Sequence, residues 1–429
     1  MRLACRRHNL RRTPPTSKEA NMDDLVIIGA GWAGLSAAAF ALHLRPNAKI
    51  RVIAQGIGSL VVTPGWLSLL DSAQGDVISA VRDLAARLPE HPYALAGAES
   101  LSEAVRLFGQ IGAEIGLGYQ AEQPLHNKQV FTALGSRQSP AVVPYGYQGA
   151  AQAGERPLFV GFEGWRDYYP ALSGAHFALI APPIGERPWD LTPTDYARYF
   201  DQPPFRAEVA RQVKARLNGA TSVAFPAVLG LEHHAETVQT LQERLGVPVF
   251  ELPTLPPSVP GTRLYNKLRR YLLDRRVRLQ VGHPVVRGVC ERRRVKGVEV
   301  AAAGKPQFFG AKAVILATGN LYGGGLFSDD HGRVWEGIFG IPVQHIADRG
   351  KWFSGQMLAP EGHPVHHFGI RANAHLQPLD AEGVPLAENL FAAGHILAHP
   401  LGAPSPFETS EGVALATAYR AVQIALAQP

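Results

Sequence analysis

The 429-residue sequence predicts an α/β protein built on parallel strands that each run into a glycine turn. Three observations carry this. A G-x-G-x-x-G turn, Gly29 to Gly34, lies between the apolar run Leu25-Val26-Ile27-Ile28 and an alanine-rich helical stretch from Leu35. A second apolar strand, Ala313 to Ala317, ends in Thr318-Gly319 with three further glycines at 323–325. A third, Leu390-Phe391-Ala392-Ala393, ends at Gly394 and is followed by a helical stretch from Glu411.

The first turn has the order that phosphate binding requires. Gly29 permits the tight turn out of the strand, Gly31 lets a pyrophosphate approach the backbone, and Gly34 keeps the helix close to the strand. The helix N-terminus offers N–H groups and positive dipole to an anion. Gly29, Ala30, Gly31, Trp32, Ala33 and Gly34 are therefore cofactor-binding candidates. Lys49 to Ala54 reads as the second strand, ending at Gln55-Gly56. A carboxylate for an adenosine ribose belongs roughly 20 residues past the glycines, yet no Asp or Glu lies between Asp24 and Asp71. Gln55 is the residue left to make that contact. Gly58-Ser59 and Thr63 to Trp66 form a loop, read equally as cofactor contact or connector.

Val77 to Leu88 and Ser102 to Ile115 predict amphipathic helices, and 118–157 mostly loop with strand-length pieces near Val130 and Val142. From Pro157 strands and helices alternate: strands at 158–161, 178–180, 222–225 and 249–250, and helices from Thr192, Arg206 and Glu236. Residues 76–255 thus read as an inserted α/β domain. The domain that carries the glycine turns is discontinuous, 22–75 with 256–330 and 385–429, and 331–384 is a connecting or cap segment. The stretch 252–261 holds four prolines and predicts a stiff irregular segment before a basic helix, Thr262 to Arg270. That segment would deliver Arg263 and Lys267 toward an anion, while Arg269 and Arg270 read as a solvated face.

Strand–glycine junctions in this order are those of a Rossmann-like, two-dinucleotide-binding-domain flavoprotein fold, here with its inserted second α/β domain. Thr318, Gly319, Gly394, His395 and Gly412 join the cofactor-binding candidates. Where such flavoproteins usually place Asp after the last glycine, this chain has His395. Two carboxylates associated with FAD are absent.

Composition excludes several functions. The formal charge of +6 is misleading, because residues 1–21 hold six basic residues against Glu19 and leave +1 for the rest. No nucleic-acid partner follows. The basic segment lacks the apolar core of a signal peptide; the expectation is a disordered extension, with Met22 as the natural start. With Cys5 and Cys290 alone, no cysteine-ligated iron–sulfur cluster can form within the chain. No apolar run reaches the ~18 residues of a membrane span. His363, His366 and His367 lie within five positions, but no matching ligand pattern accompanies them, so no metal is expected. His366 and His367 are instead candidates for proton movement beside a flavin, and His233-His234 for a helix start. Neither G-x-S-x-G nor a P-loop occurs, which removes the hydrolase and NTPase readings.

Four stretches together resemble a known family: the glycine turn, L-P-T-L-P-P-S-V-P-G-T-R-L at 252–264, A-T-G-N-L-Y-G-G-G-L at 317–326 and N-L-F-A-A-G at 389–394. Over residues 23–425 the chain resembles the B subunit of anaerobic glycerol-3-phosphate dehydrogenase, and the proline-rich segment is the most specific part. The resemblance implies a three-subunit bacterial system that oxidises sn-glycerol 3-phosphate to dihydroxyacetone phosphate and feeds the quinone pool. It implies an FAD-containing catalytic A subunit, an iron–sulfur C subunit at the membrane, and a B subunit carrying FMN. The B subunit would be cytoplasmic, peripheral at the inner face of the plasma membrane. FAD in place of FMN, a stand-alone FAD oxidoreductase and a flavin-free scaffold subunit remain open alternatives.

Overall fold

The computed structural model describes residues 22–152, 154, 156–185, 187–357, 359 and 361–428. The basic extension at 1–21 lies outside the described residues. The chain divides into two compact units. One comprises residues up to Gly58, Ile78–Leu107 and Arg269–Pro429; the other comprises Ser59–Val77 and Phe108–Leu268.

In the first unit, Asp23–Ile28 is a central strand, paired in parallel with Ile50–Ala54 on one side and Gln307–Leu316 on the other. Leu25, Val26 and Ile27 are fully buried, which is why the run is apolar without alternation. Arg278–Val281 extends the parallel sheet beyond the second strand, and Leu390–Ala392 pairs in parallel with the end of the long strand Gln307–Leu316. The first half of that long strand pairs antiparallel with Arg294–Val300, which pairs with Val285–Glu291. The helix Trp32–Leu44 is buried as far as Leu42 and apolar on all sides. It packs against the closing helix Ser410–Ala427, Phe40 meeting Tyr419 edge-on at 5.7 Å. The parallel order therefore gathers the ends of all three expected glycine junctions on one sheet edge, where open α/β sheets bind ligands.

The second unit has its own parallel sheet, in the order Phe177–Ile180, Pro157–Phe162, Ser222–Pro226, Val249–Leu252. Helices Pro193–Phe200, Pro203–Lys214 and His234–Leu245 accompany it. The Asp201 carboxylate accepts from the backbone N–H groups of Leu231, Glu232 and His233 at 2.9–3.1 Å, filling the last helix's N-terminus with a protein anion.

The domain boundaries fall elsewhere than expected. Residues 59–77 belong to the second unit because Leu67 bridges Val142 and Val61 O accepts from Ser258 N. Residues 78–107 join the first unit, where His91 meets His399 at 5.1 Å. The expected cap segment also belongs to the first unit, with small hairpins at 326–336 and 343–370. The proline-rich stretch is less irregular than expected. Its helix begins at Val259, where Pro260 has no intrahelical N–H to lose and the Ser258 hydroxyl accepts from Gly261 N.

Candidate active site

The glycine turn of the first unit separates packing from opening. Gly29 has φ +120, and a Cβ there would collide with the Ala317 carbonyl oxygen. One on Gly34 would strike the Gly29 carbonyl oxygen. At Gly31 nothing lies within 4 Å of the position a Cβ would take. Gly29 and Gly34 thus hold strand ends and helix together, whereas Gly31 faces space. The residue Gly58 closes one side of that space, since its own Cβ would lie 2.6 Å from the Gly31 Cα. The helix starting at Trp32 has no side-chain cap and no acidic residue in its first turn.

The other two junctions meet this turn. Gly394 abuts the first helix, its Cβ position being 2.7 Å from the Ala33 Cβ, and its N–H donates to Thr417 Oγ1 at 2.8 Å. Gly323 and Gly325 fold back on Thr318-Gly319, with a Cβ at Gly325 blocked by the Gly319 carbonyl oxygen and one at Gly323 tightly placed at 3.1 Å. The Thr318 hydroxyl is buried without a hydrogen-bond partner among the described residues. In the closing helix Gly412 is buried in the first turn, and the preceding Thr409 hydroxyl is also buried without a partner among the described residues. Gln55 is exposed just past the end of its strand. An open backbone cradle, an uncapped helix N-terminus and buried hydroxyls without partners suit a phosphate-bearing cofactor.

Beside the third junction lies a group of imidazoles. His395 stacks on His399 at 5.8 Å, His399 meets His91 edge-on, and His367 lies 6.3 Å from His399. His395 Nε2 bonds the Ser410 carbonyl at 3.2 Å. His399 is 2% exposed and neither ring nitrogen has a hydrogen-bond partner among the described residues. His91 Nδ1 accepts from Tyr93 N–H at 3.1 Å, which places its proton on Nε2, a second buried group without a partner. Burial, then the neighbouring His367, pushes His91 down to about 4. Burial, with His91, His395 and His367 following, pushes His399 well below the usual histidine range. His366 is lowered to about 4 by burial, then by His363 and His367. Its Nε2 bonds Tyr322 OH at 3.0 Å, while its buried Nδ1 has no partner among the described residues. His367 donates from Nδ1 to the Pro400 carbonyl at 3.1 Å. Burial favours the neutral form of His91, His366 and His399, and a proton taken up by any of them would be a buried charge. His91 and His399 are absent from the sequence-derived candidates. The spacing of His395 and His399 in G-H-I-L-A-H-P was the available signal; nothing local pointed to His91.

A family model described as an FAD binding domain matches residues 24–179 and 197–405. A Halobacterium salinarum protein, named as the probable B subunit of anaerobic glycerol-3-phosphate dehydrogenase, is 30% identical over 93% of this chain and 96% of its own length. The chain belongs to this B-subunit family. The corresponding Vibrio cholerae protein is 28% identical, covering 94% of this chain and 96% of that one. Among solved structures, 3-ketosteroid Δ1-dehydrogenase of Sterolibacterium denitrificans covers 95% of this chain and 100% of its own, at 11% identity and a TM-score of 0.47. The family is one of oxidoreductases with a flavin-binding fold. Because the matched domain is FAD-binding, FMN loses its place as the first expectation.

One sequence-derived site of this dehydrogenase-family chain needs correction. Arg263 is 2% exposed in the second unit and already neutralised. Its guanidinium donates to both Glu251 carboxylate oxygens at 3.2 Å and to the Gly230 carbonyl at 2.7–3.0 Å. Burial alone would raise Glu251, but Arg263 and then His234 outweigh it and hold its carboxyl below the ordinary range. Arg263 is therefore a structural ion-pair partner, not a phosphate ligand. Lys267, one turn further, is half-buried, with its ammonium 3.8 Å from the Cβ position of Gly116.

Proposed function

We propose that this chain is the flavin-binding subunit of a quinone-linked anaerobic glycerol-3-phosphate dehydrogenase, holding FAD, with FMN as the alternative. The observation that carries the reading is the open space at Gly31 between two glycines whose own Cβ positions are filled by backbone. Gly29 to Gly34, Thr318, Gly319, Gly394 and the Gly412 turn would hold the cofactor. The flavin would supply a two-electron acceptor able to release electrons singly. Gln55 would contact the adenosine ribose as a neutral partner, weaker than a carboxylate.

Oxidising sn-glycerol 3-phosphate to dihydroxyacetone phosphate removes a hydride from C2 and a proton from its hydroxyl. The proton requires a base that is unprotonated beforehand. His366 supports this role: burial keeps it unprotonated and its Nδ1 has no partner among the described residues. A phosphate-bearing substrate nearby would raise its affinity for the proton. His399 and His91 continue a buried line of imidazoles from His367. Onward electron transfer would pass to an iron–sulfur C subunit, in a complex that also contains the FAD-carrying A subunit. Among the described residues no helix is long and apolar enough to cross a membrane. A partner would therefore hold the chain at the inner membrane face.

The test is co-expression with the partner subunits, separation of this chain, and anaerobic addition of sn-glycerol 3-phosphate or glycerol to it, followed by flavin absorbance. Bleaching by the phosphate ester and not by glycerol is expected. Bleaching by a chemical reductant but not by the ester would contradict the substrate. A colourless protein would leave the scaffold role.

A further inference from the structure

The second unit contains a cavity of about 490 Å³ bordered by a short hairpin, Val130–Phe131 with Arg137–Gln138, and by the turn of helix Tyr145–Gln148. Its walls carry Lys128 and Arg137, with Gln120, Gln129 and Gln148 around them. No carboxylate lines it among the described residues. We propose that this cavity binds a small phosphomonoester, with Lys128 and Arg137 sharing its charge.

The hairpin sets both cations at the cavity, Arg137 exposed and Lys128 half-buried. Lys128 precedes the hairpin, its backbone N–H donating to Pro140 O at 2.8 Å. Arg137 sits directly across from Phe131 in the ladder, its guanidinium 4.4 Å from that ring's centroid. Phe131 in turn stacks on Phe250 of the parallel sheet at 6.1 Å. The floor is Val130, Val143 and Tyr147, backed by Trp66, with Tyr147 OH donating to Pro64 O at 3.1 Å. Gln129 and Gln148 are oriented by bonds to Ser139 Oγ and Gly118 O.

Unlike the paired arginines of this unit, the two cations have no carboxylate partner among the described residues. Arg198, Arg206, Arg211 and Arg263 of this unit each pair with a carboxylate. Neither Lys128 nor Arg137 makes a hydrogen bond or ion pair to a carboxylate among the described residues. Burial depresses Lys128, and Glu122 only partly counters it. An anion in the cavity would relieve that cost. Two positive groups match a phosphomonoester, which carries about −1.5 to −2 at pH 7, better than a monocarboxylate. The amides add donors and acceptors for hydroxyl groups, and the volume falls within the range of roughly 300–1,000 Å³ of small-molecule sites. The inference goes beyond the flavin reading and does not depend on it.

Calorimetric titration of the full chain at pH 7 tests it, with sn-glycerol 3-phosphate, inorganic phosphate, glycerol and acetate as probes. Inorganic phosphate should saturate a site that glycerol and acetate do not, and sn-glycerol 3-phosphate should fill that same site in addition to its binding beside the flavin. Lys128→Gln and Arg137→Gln should each weaken phosphate binding about tenfold or more, with flavin content and melting temperature unchanged. Arg137→Lys should restore part of it. Wild-type affinity in both glutamine variants, or no saturation by either phosphate probe, would overturn the proposal. Flavin reduction by the ester is read separately, so either idea can fail alone.

Discussion

Two buried clusters, one in each unit, treat their titratable groups in opposite ways. In the second unit, Arg263 and Glu251 are 2% and 0% exposed and neutralise each other, with the Gly230 carbonyl taking the remaining donors. In the first, His91 and His399 are as deeply buried, yet three of their four ring nitrogens lack hydrogen-bond partners among the described residues. A satisfied pair fixes a backbone. Unsatisfied imidazoles cost stability, and such groups are kept where chemistry uses them. Burial alone does not separate the two cases; the partner does.

The largest effect should come from breaking the satisfied pair. Glu251→Ala leaves the Arg263 guanidinium buried and uncompensated, a loss of about 3–5 kcal/mol. Urea unfolding should show it, with the flavin content of the remaining folded protein intact. Loss of flavin without loss of stability would reverse the assignment of this pair.

Next in size is the pH response. His91 and His234, one in each unit, are both lowered from 6.5 to about 4, each by burial first. As pH falls, the unfolded chain takes these protons before the folded one does. Stability is therefore fully present above about pH 6.5 and is lost progressively toward pH 4, about 3 kcal/mol per group. His91→Asn keeps an acceptor for Tyr93 N–H and should flatten the melting temperature across this window. An unchanged slope would mean that His91 is not held neutral.

A smaller stability change should accompany a functional one at His399. His399→Leu replaces two ring nitrogens without partners by apolar surface and should alter stability by no more than about 1 kcal/mol. Flavin reduction by sn-glycerol 3-phosphate should slow at least tenfold. A variant that reduces at the wild-type rate would remove the imidazole line from the mechanism.

The legible parts of this molecule are those fixed over short stretches of chain. Strand, Gly29–Gly34 and helix lie within about one supersecondary unit, so their composition alone specified the turn. The strand at 313–317 and the junction at Gly394 could be read for the same reason. Arg263 reads as an anion ligand from its basic helix alone, because the anion it meets, Glu251 of the preceding strand, is brought against it only by the fold. The expected edge of the inserted domain failed at 59–77, whose partners Val142 and Ser258 are far along the chain. His91 could not be anticipated, since its neighbour His399 lies about 300 residues away and only the folded sheet unites them.

The central claim is that Gly31, and not its flanking glycines, faces the cofactor. The direct measurement is flavin stoichiometry and mass in the purified chain, beside a Gly31→Ala variant whose melting temperature is recorded. The prediction is FAD near one per chain in the wild type. In the variant, flavin should drop at least tenfold while stability falls by no more than about 1 kcal/mol, the usual cost of alanine at an N-cap. Full FAD content in a stable Gly31→Ala protein would contradict the account.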